Sequence, residues 1–195
     1  RIQEEWVGKD YTAEVGFVPR NGYVNLRGTL GHLFFPKGGA ILSHGPELNT
    51  LYYFNERFRR TDNSSYMVYG IDFRNRSNLD FFVSDDYVAL LAPFDPTRLG
   101  KEELATGTEH QWNAFGWMFS SKPQSLFTYG FDTRFGGYYE GGRRTSLTTE
   151  LGYRFQPYVS LNANLNYNHI NLPAPWNTNE FWLIGSELDI TFTNK

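Results

Sequence analysis

The stretch "YVSLNANLNYNHINL" (residues 158–172) constrains the fold more than any other part of the chain. Val159, Leu161, Ala163, Leu165 and Tyr167 alternate with Ser160, Asn162, Asn164, Asn166 and Asn168. Successive side chains of an extended strand point to opposite faces, so a period of two means a β-strand with one apolar and one polar face. The polar face is the unusual one. Asn is depleted in strands because its amide competes for backbone hydrogen bonds. An asparagine ladder behind a row of apolar residues calls for water on one side of the strand and a dry surface on the other.

The same alternation recurs along the chain. In "RRTSLTTELGYRF", Thr145, Leu147, Thr149, Leu151, Tyr153 and Phe155 stand opposite Arg144, Ser146, Thr148, Glu150, Gly152 and Arg154. The junction "FQPYV" is decided by register. A turn at Gln156-Pro157 alone sets Arg154 against Val159 and mixes the faces. Including Tyr158 pairs Phe155 with Val159, Tyr153 with Leu161, Arg154 with Ser160 and Glu150 with Asn164, which keeps one face apolar. By the same test, a turn at Ser121-Lys122-Pro123 pairs Trp117 with Phe127 and Phe115 with Tyr129. "FWLIGSELDITF", "YVNLRGTLGHLFF" and "YMVYGIDFR" alternate in the same way, and "LNTLYYFNERF" and "NLDFFVS" do so more weakly.

These segments predict about nine antiparallel strands, most near the ten-residue length of a membrane-crossing strand. Short connections at 37–39, 75–78, 121–123, 156–158 and 193–195 alternate with longer ones at 59–65, 85–108, 136–143 and 171–179. That alternation is the pattern of periplasmic turns and extracellular loops. Mean hydropathy is only −0.50, but a barrel hides its hydrophobicity in every second residue. The 18% aromatic content supports the barrel over a polar soluble chain. The expected fold is all-β: an antiparallel transmembrane β-barrel of outer-membrane type, present in part. A soluble β-sandwich or lipocalin-like binder is the alternative; the broad apolar face, with no helix to cover it, argues against that.

The chain opens at Arg1 and closes on "DITFTNK", where a strand runs into a polar turn. The expectation is one domain over residues 1–195, the C-terminal portion of a barrel whose remaining strands lie elsewhere in a longer protein. The stretches "EVGFVPRNGY", "APFD" and "GGYYEGGRRTSLTTELGYRFQPYVSLNANLNYNHINLP" resemble a family of Bacteroidota-type outer-membrane proteins. In that family an N-terminal carbohydrate-binding-like β-sandwich precedes a C-terminal barrel, and the resemblance lies wholly within the barrel part. It implies outer-membrane localisation, and it carries over no catalytic residues because the family has no established activity.

On a barrel reading the polar faces line a lumen with Arg27, Arg57, Asp72, Arg74, Asp132, Arg134, Arg144, Glu150, Arg154, Glu187 and Asp189, joined by Asn162, Asn164 and Asn166. Mixed charges and amides in a wet pore select polar solutes by hydrogen bonding; the plainer role is pairing across strands to fill the interior. Trp112, Trp117, Tyr153, Phe155, Tyr167, Trp182 and Phe192 read as interfacial aromatic girdles rather than a sugar platform. Phe94, Tyr138, Tyr139 and Trp176 fall in the long loops and are candidates for contact with ligand or partner. The 85–108 loop carries the apolar run Val88 to Phe94, too hydrophobic for a disordered segment. It either folds into the lumen or docks a partner.

No enzyme is expected. His32, His44, His110 and His169 are scattered, no G-x-S-x-G elbow is present, and Glu109-His110 is a lone pair. Asp85-Asp86, with Asp95 nearby, lacks the spacing of a calcium loop. With no Cys there is no thiolate metal site or disulfide framework, and no cofactor is expected. A net charge of −3 leaves no footprint for nucleic acid. The expected partners are outer-membrane lipid and other outer-membrane proteins or lipoproteins. The expected function is a pore or receptor for polar solutes, glycans among them, with an accessory subunit of a larger assembly as the alternative.

Overall fold

The computed structural model describes residues 1–11, 21–155 and 158–192. The turn residues Gln156 and Pro157, the terminal turn at 193–195 and most of "EVGFVPRNGY" lie outside the described residues.

The chain is all-β: β1 (Ile2–Val7), β2 (Tyr23–Gly31), β3 (Ile41–Asn55), β4 (Arg60–Phe73), β5 (Asn78–Ala89), β6 (Glu109–Ser120), β7 (Phe127–Gly137), β8 (Arg143–Phe155), β9 (Val159–Asn171) and β10 (Thr178–Ile190). The strands form one antiparallel sheet in sequence order, with β1 and β10 at its edges. No pairing among the described residues joins those edges. There is one strand more than expected, β1, whose six residues pair with β2. A single 3₁₀ turn, Tyr139–Gly141, lies between β7 and β8.

The β8–β9 hairpin has the expected register throughout, with Phe155 opposite Val159, Arg154 opposite Ser160 and Glu150 opposite Asn164. The β6–β7 hairpin does not. Phe119 pairs with Phe131 and Phe115 with Phe135, six residues away from the tight turn at Ser121-Lys122-Pro123. The connection is wider because Ser121 Oγ accepts from Tyr129 N at 2.8 Å and the Leu126 carbonyl accepts from Arg154 N at 2.9 Å. A shift by an even number leaves the faces unchanged.

Two expected loops are strand. Residues 60–65 belong to β4 and residues 85–89 to β5. Residues 60–65 read as loop because they are polar on both faces, and 85–89 because they open on the pair Asp85-Asp86, yet these polar side chains are satisfied across the sheet. Asn63 Nδ2 donates to Asp85 Oδ2 at 2.9 Å, and Ser64 Oγ donates to Asp86 Oδ1 at 3.0 Å. The 56–59 turn is therefore as short as the 74–77 turn, and length alternates less cleanly than expected.

The two faces of the sheet differ in kind. One carries Leu30, Leu48, Met67, Val83, Phe115 and Phe135 along a single hydrogen-bonded row, which continues through Thr145, His169 and Glu180. Among the described residues most of this face is uncovered: Leu30 is 76% exposed, Phe115 55% and Ile184 74%. On β8–β10 the apolar rows lie lower, from Leu147–Tyr167–Trp182 down to Phe155–Val159–Ile190. On β2–β3 they reach higher, through Leu26–Tyr52 and Val24–Phe54. The apolar band thus crosses the hydrogen-bonded rows obliquely, as it does where strands are tilted against a layer of fixed height.

Candidate functional site

The opposite face carries the polar side chains, and the sheet curls toward it. A cleft of about 640 Å³ is lined at once by Asn49 of β3 and Thr148 of β8, five strands apart in the sheet order. Small residues make room for long ones here. A Cβ on Gly116 would meet the Phe82 ring at 2.8 Å and the Thr133 carbonyl at 1.8 Å. Over neighbouring Ala114, Arg134 of β7 reaches across β6 to β5, where it ion-pairs with Asp86 and donates to Ser84 Oγ at 3.1 Å. Further along, Arg144 donates to Asn168 Oδ1 from NH2 at 2.7 Å and to Ser146 Oγ from Nε at 2.9 Å. Thr148 donates to Asn166 Oδ1 at 2.7 Å. The asparagine ladder is thus tied across the strands to β8 hydroxyls and Arg144.

Most expected lumen residues share this face. Asp132, Arg134 and Arg144 line the main cleft. Glu150, Arg154, Asn162, Asn164 and Glu187 line a second cleft of about 380 Å³ at the opposite end of the sheet. There Arg154 also donates to the Pro123 carbonyl. Arg27 bonds Asn25 Oδ1 at 2.9 Å, and Asp72 accepts from Ser43 at 2.8 Å. Two assignments are corrected. Arg57 sits in the 56–59 turn rather than on a strand face. Arg74 follows β4 and donates to the Gly39 and Pro36 carbonyls at 3.0 and 3.1 Å, anchoring the β2–β3 connection.

Trp112 is also corrected. It shares the face of Ala114 and Gly116, lines the cleft and lies 5.8 Å from Tyr138 and 4.9 Å from Tyr139, ring centre to ring centre. Strand parity placed it there already, since it stands an odd number of residues from Phe115 and Trp117. Tyr66, Asn49 and Ser146 are further lining residues that the sequence reading did not single out.

The 90–108 loop folds inward over the same end. Leu90 and Leu104 pack with Ile170, Leu172 and Trp176, and Phe94, Tyr138, Tyr139 and Phe181 surround them. Trp176 Nε1 donates to the Glu102 carbonyl at 2.6 Å, and Lys101 Nζ donates to the Trp176 carbonyl and Asn179 Oδ1 at 2.8 and 2.7 Å. All four loop candidates (Phe94, Tyr138, Tyr139, Trp176) therefore belong to a cap over the polar face. Asp95 shapes the loop: its carboxylate accepts from Thr97 N, Thr97 Oγ1, Leu99 N and Lys101 N. Desolvation would raise its pKa, but the Thr97, Lys101 and Leu99 hydrogen bonds outweigh that and hold it at about 2. Burial in the cap pushes the Tyr139 phenol up to about 12 and raises that of Tyr138.

Asp85 and Asp86 point to opposite faces, Asp85 to Asn63 and Gln111, Asp86 to Arg134, so the pair cannot close on one ion. Among the described residues no three His, Asp or Glu side chains cluster to hold a metal. The fold does assemble Thr108, His110 and Glu140, with His110 Nε2 at 2.9 Å from Thr108 Oγ1 and Nδ1 at 3.4 Å from Glu140 Oε1. Thr108 donates its proton to the Ala105 carbonyl at 2.8 Å, so it accepts from His110 and is not poised as a nucleophile. The row ties the loop to the β7–β8 connection.

No family model, curated protein or solved structure matches the chain.

Proposed function

We propose that this chain is the membrane-spanning part of an outer-membrane β-barrel that serves as a pore or receptor for polar solutes, glycans among them. The observation that carries this reading is the two-faced sheet: an uncovered apolar band running obliquely over the strands, backed by a polar, curled face with clefts of about 640 and 380 Å³. Aromatic pairs stand at the band's borders, Tyr167–Trp182 at one and Tyr153–Phe155 at the other, ring centres 4.5 and 4.6 Å apart. Beyond the upper border the same face turns polar, with His169 3.8 Å from Glu180. Strands of thirteen residues, such as β8 to β10, run about 43 Å at ~3.3 Å per residue. That exceeds a hydrocarbon core of about 30 Å and leaves room for this polar rim. In hydrocarbon the outer edges of β1 and β10 need hydrogen-bond partners, supplied by each other or by further strands.

The test is made on the whole protein, extracted from outer membranes in mild detergent, weighed intact and inserted into planar bilayers. Migration at its own mass with discrete conductance steps, or saturable binding of a polar solute, supports the pore or receptor. Co-migration with other barrels or lipoproteins, without conductance or solute binding, would make it an accessory subunit instead.

A further inference from the structure

Of the two arginines that line the cleft under the cap, one has no ion-paired carboxylate among the described residues. Arg134 is matched by Asp86. Arg144 is not: its partners are the neutral Asn168 and Ser146, and its guanidinium carbon lies 5.5 Å from the centre of the Tyr138 ring. No carboxylate among the described residues pairs with it. It lines the cleft beside Trp112 and Tyr138, with Tyr66, Ser146 and Thr148 hydroxyls around them.

We propose that this cleft binds a saccharide bearing a single carboxylate, with the acid on Arg144 and a sugar ring laid against Trp112 and Tyr138. The inference rests on the pore or receptor reading and gives its solute a chemical class. A guanidinium beside a planar acid forms charge-assisted, geometrically specific hydrogen bonds, which a hydroxyl does not replace. A neutral ligand that expelled water from the cleft would leave Arg144 desolvated and unpaired, at a cost. A multiply charged anion is disfavoured for the opposite reason, because Asp86 and Asp132 line the same space and offset the charges of Arg134 and Arg144. The aromatic walls offer a flat apolar surface to ring C–H groups, and the hydroxyls and Asn49 supply donors and acceptors for the sugar's own hydroxyls. A volume of about 640 Å³ lies in the ordinary range for small-molecule sites.

The experiment uses the whole protein in mild detergent and two disaccharide probes that differ at a single carbon: cellobiouronate (glucuronosyl-glucose), which carries one carboxylate, and its uncharged counterpart cellobiose. Binding is followed by titration calorimetry and by tryptophan fluorescence. Cellobiouronate is expected to bind at least tenfold more tightly than cellobiose, R144Q to bring that ratio close to one, and R144K to keep part of it. The ratio is read within each variant, so a general loss of folded protein does not mimic the effect. Equal binding of the two disaccharides by the wild type, an unchanged ratio in R144Q, or binding of neither overturns the inference. Bilayer conductance on the same preparation separates the two levels. Conductance steps with no preference for the acid leave the pore standing and remove only its acidic ligand. A preparation that neither conducts nor binds any polar solute removes both.

Discussion

The two ends of the polar face are built on different principles. At the loop end an apolar cluster of Leu90, Leu104, Ile170, Leu172 and Trp176 sits on a face that is otherwise polar, tied down by Lys101 and Trp176. At the turn end the same face is lined by Glu150, Arg154, Asn162, Asn164 and Glu187, and the connections are short. Among the described residues the one cluster of buried hydrophobic side chains thus forms where a loop turns inward, with Ile170 at the end of β9 as its strand member. The difference teaches that the loop end of the polar face is covered by a packed cap, whereas the turn end is lined by polar side chains.

The largest contrast is expected from Trp176→Ala. It removes a buried ring and its hydrogen bond to Glu102, a loss of about 3–5 kcal/mol in cap docking. Protease cutting within 90–108 should rise sharply while strand content by circular dichroism stays unchanged; an uncut loop would mean the cap does not depend on this cluster. Lys101→Met should loosen the cap by about 2 kcal/mol, because the Trp176 carbonyl and Asn179 lose a charged donor. The same proteolysis series ranks it below the Trp176 change. Asp95 supplies a pH dependence. Its folded pKa lies below its ordinary value, so its contribution is present above that ordinary value and is lost as pH falls through about 2. Amide protection at Thr97, Leu99 and Lys101 should fall over that range, and Asp95→Asn should remove the dependence. The smallest effect belongs to the turn end, where Glu150→Gln should shift stability by less than about 0.5 kcal/mol. A large loss on thermal melting would show that this end is not the open one.

How much of this was legible in the sequence depends on how local the determinants are. The β8–β9 register followed from alternation alone, because only one pairing keeps Leu151, Tyr153 and Leu161 together. The β6–β7 register escaped because Pro123 invites a tight turn, whereas Ser121 and Leu126 draw hydrogen bonds from Tyr129 and Arg154. Residues 60–65 read as loop because they are polar on both faces, and 85–89 because Asp85-Asp86 interrupts the alternation. The cap was beyond reach of pattern reading, since Lys101 and Trp176 meet across 75 positions of sequence. Its apolar run nonetheless announced that the loop packs somewhere. Arg144 was singled out from its strand face, but its lack of a carboxylate partner emerges only once β7, β8 and β9 lie side by side.

The central claim is that the asparagines of β9 face water and the leucines face lipid. Single cysteines placed one at a time at Leu161, Asn162, Asn164, Leu165 and Asn166, in the whole protein within native outer membranes, test it most directly with a water-soluble maleimide. Labelling at Asn162, Asn164 and Asn166 with protection at Leu161 and Leu165 is the predicted result. Labelling of the leucine positions as fast as the asparagine positions would contradict it and return the sheet to a water-soluble setting.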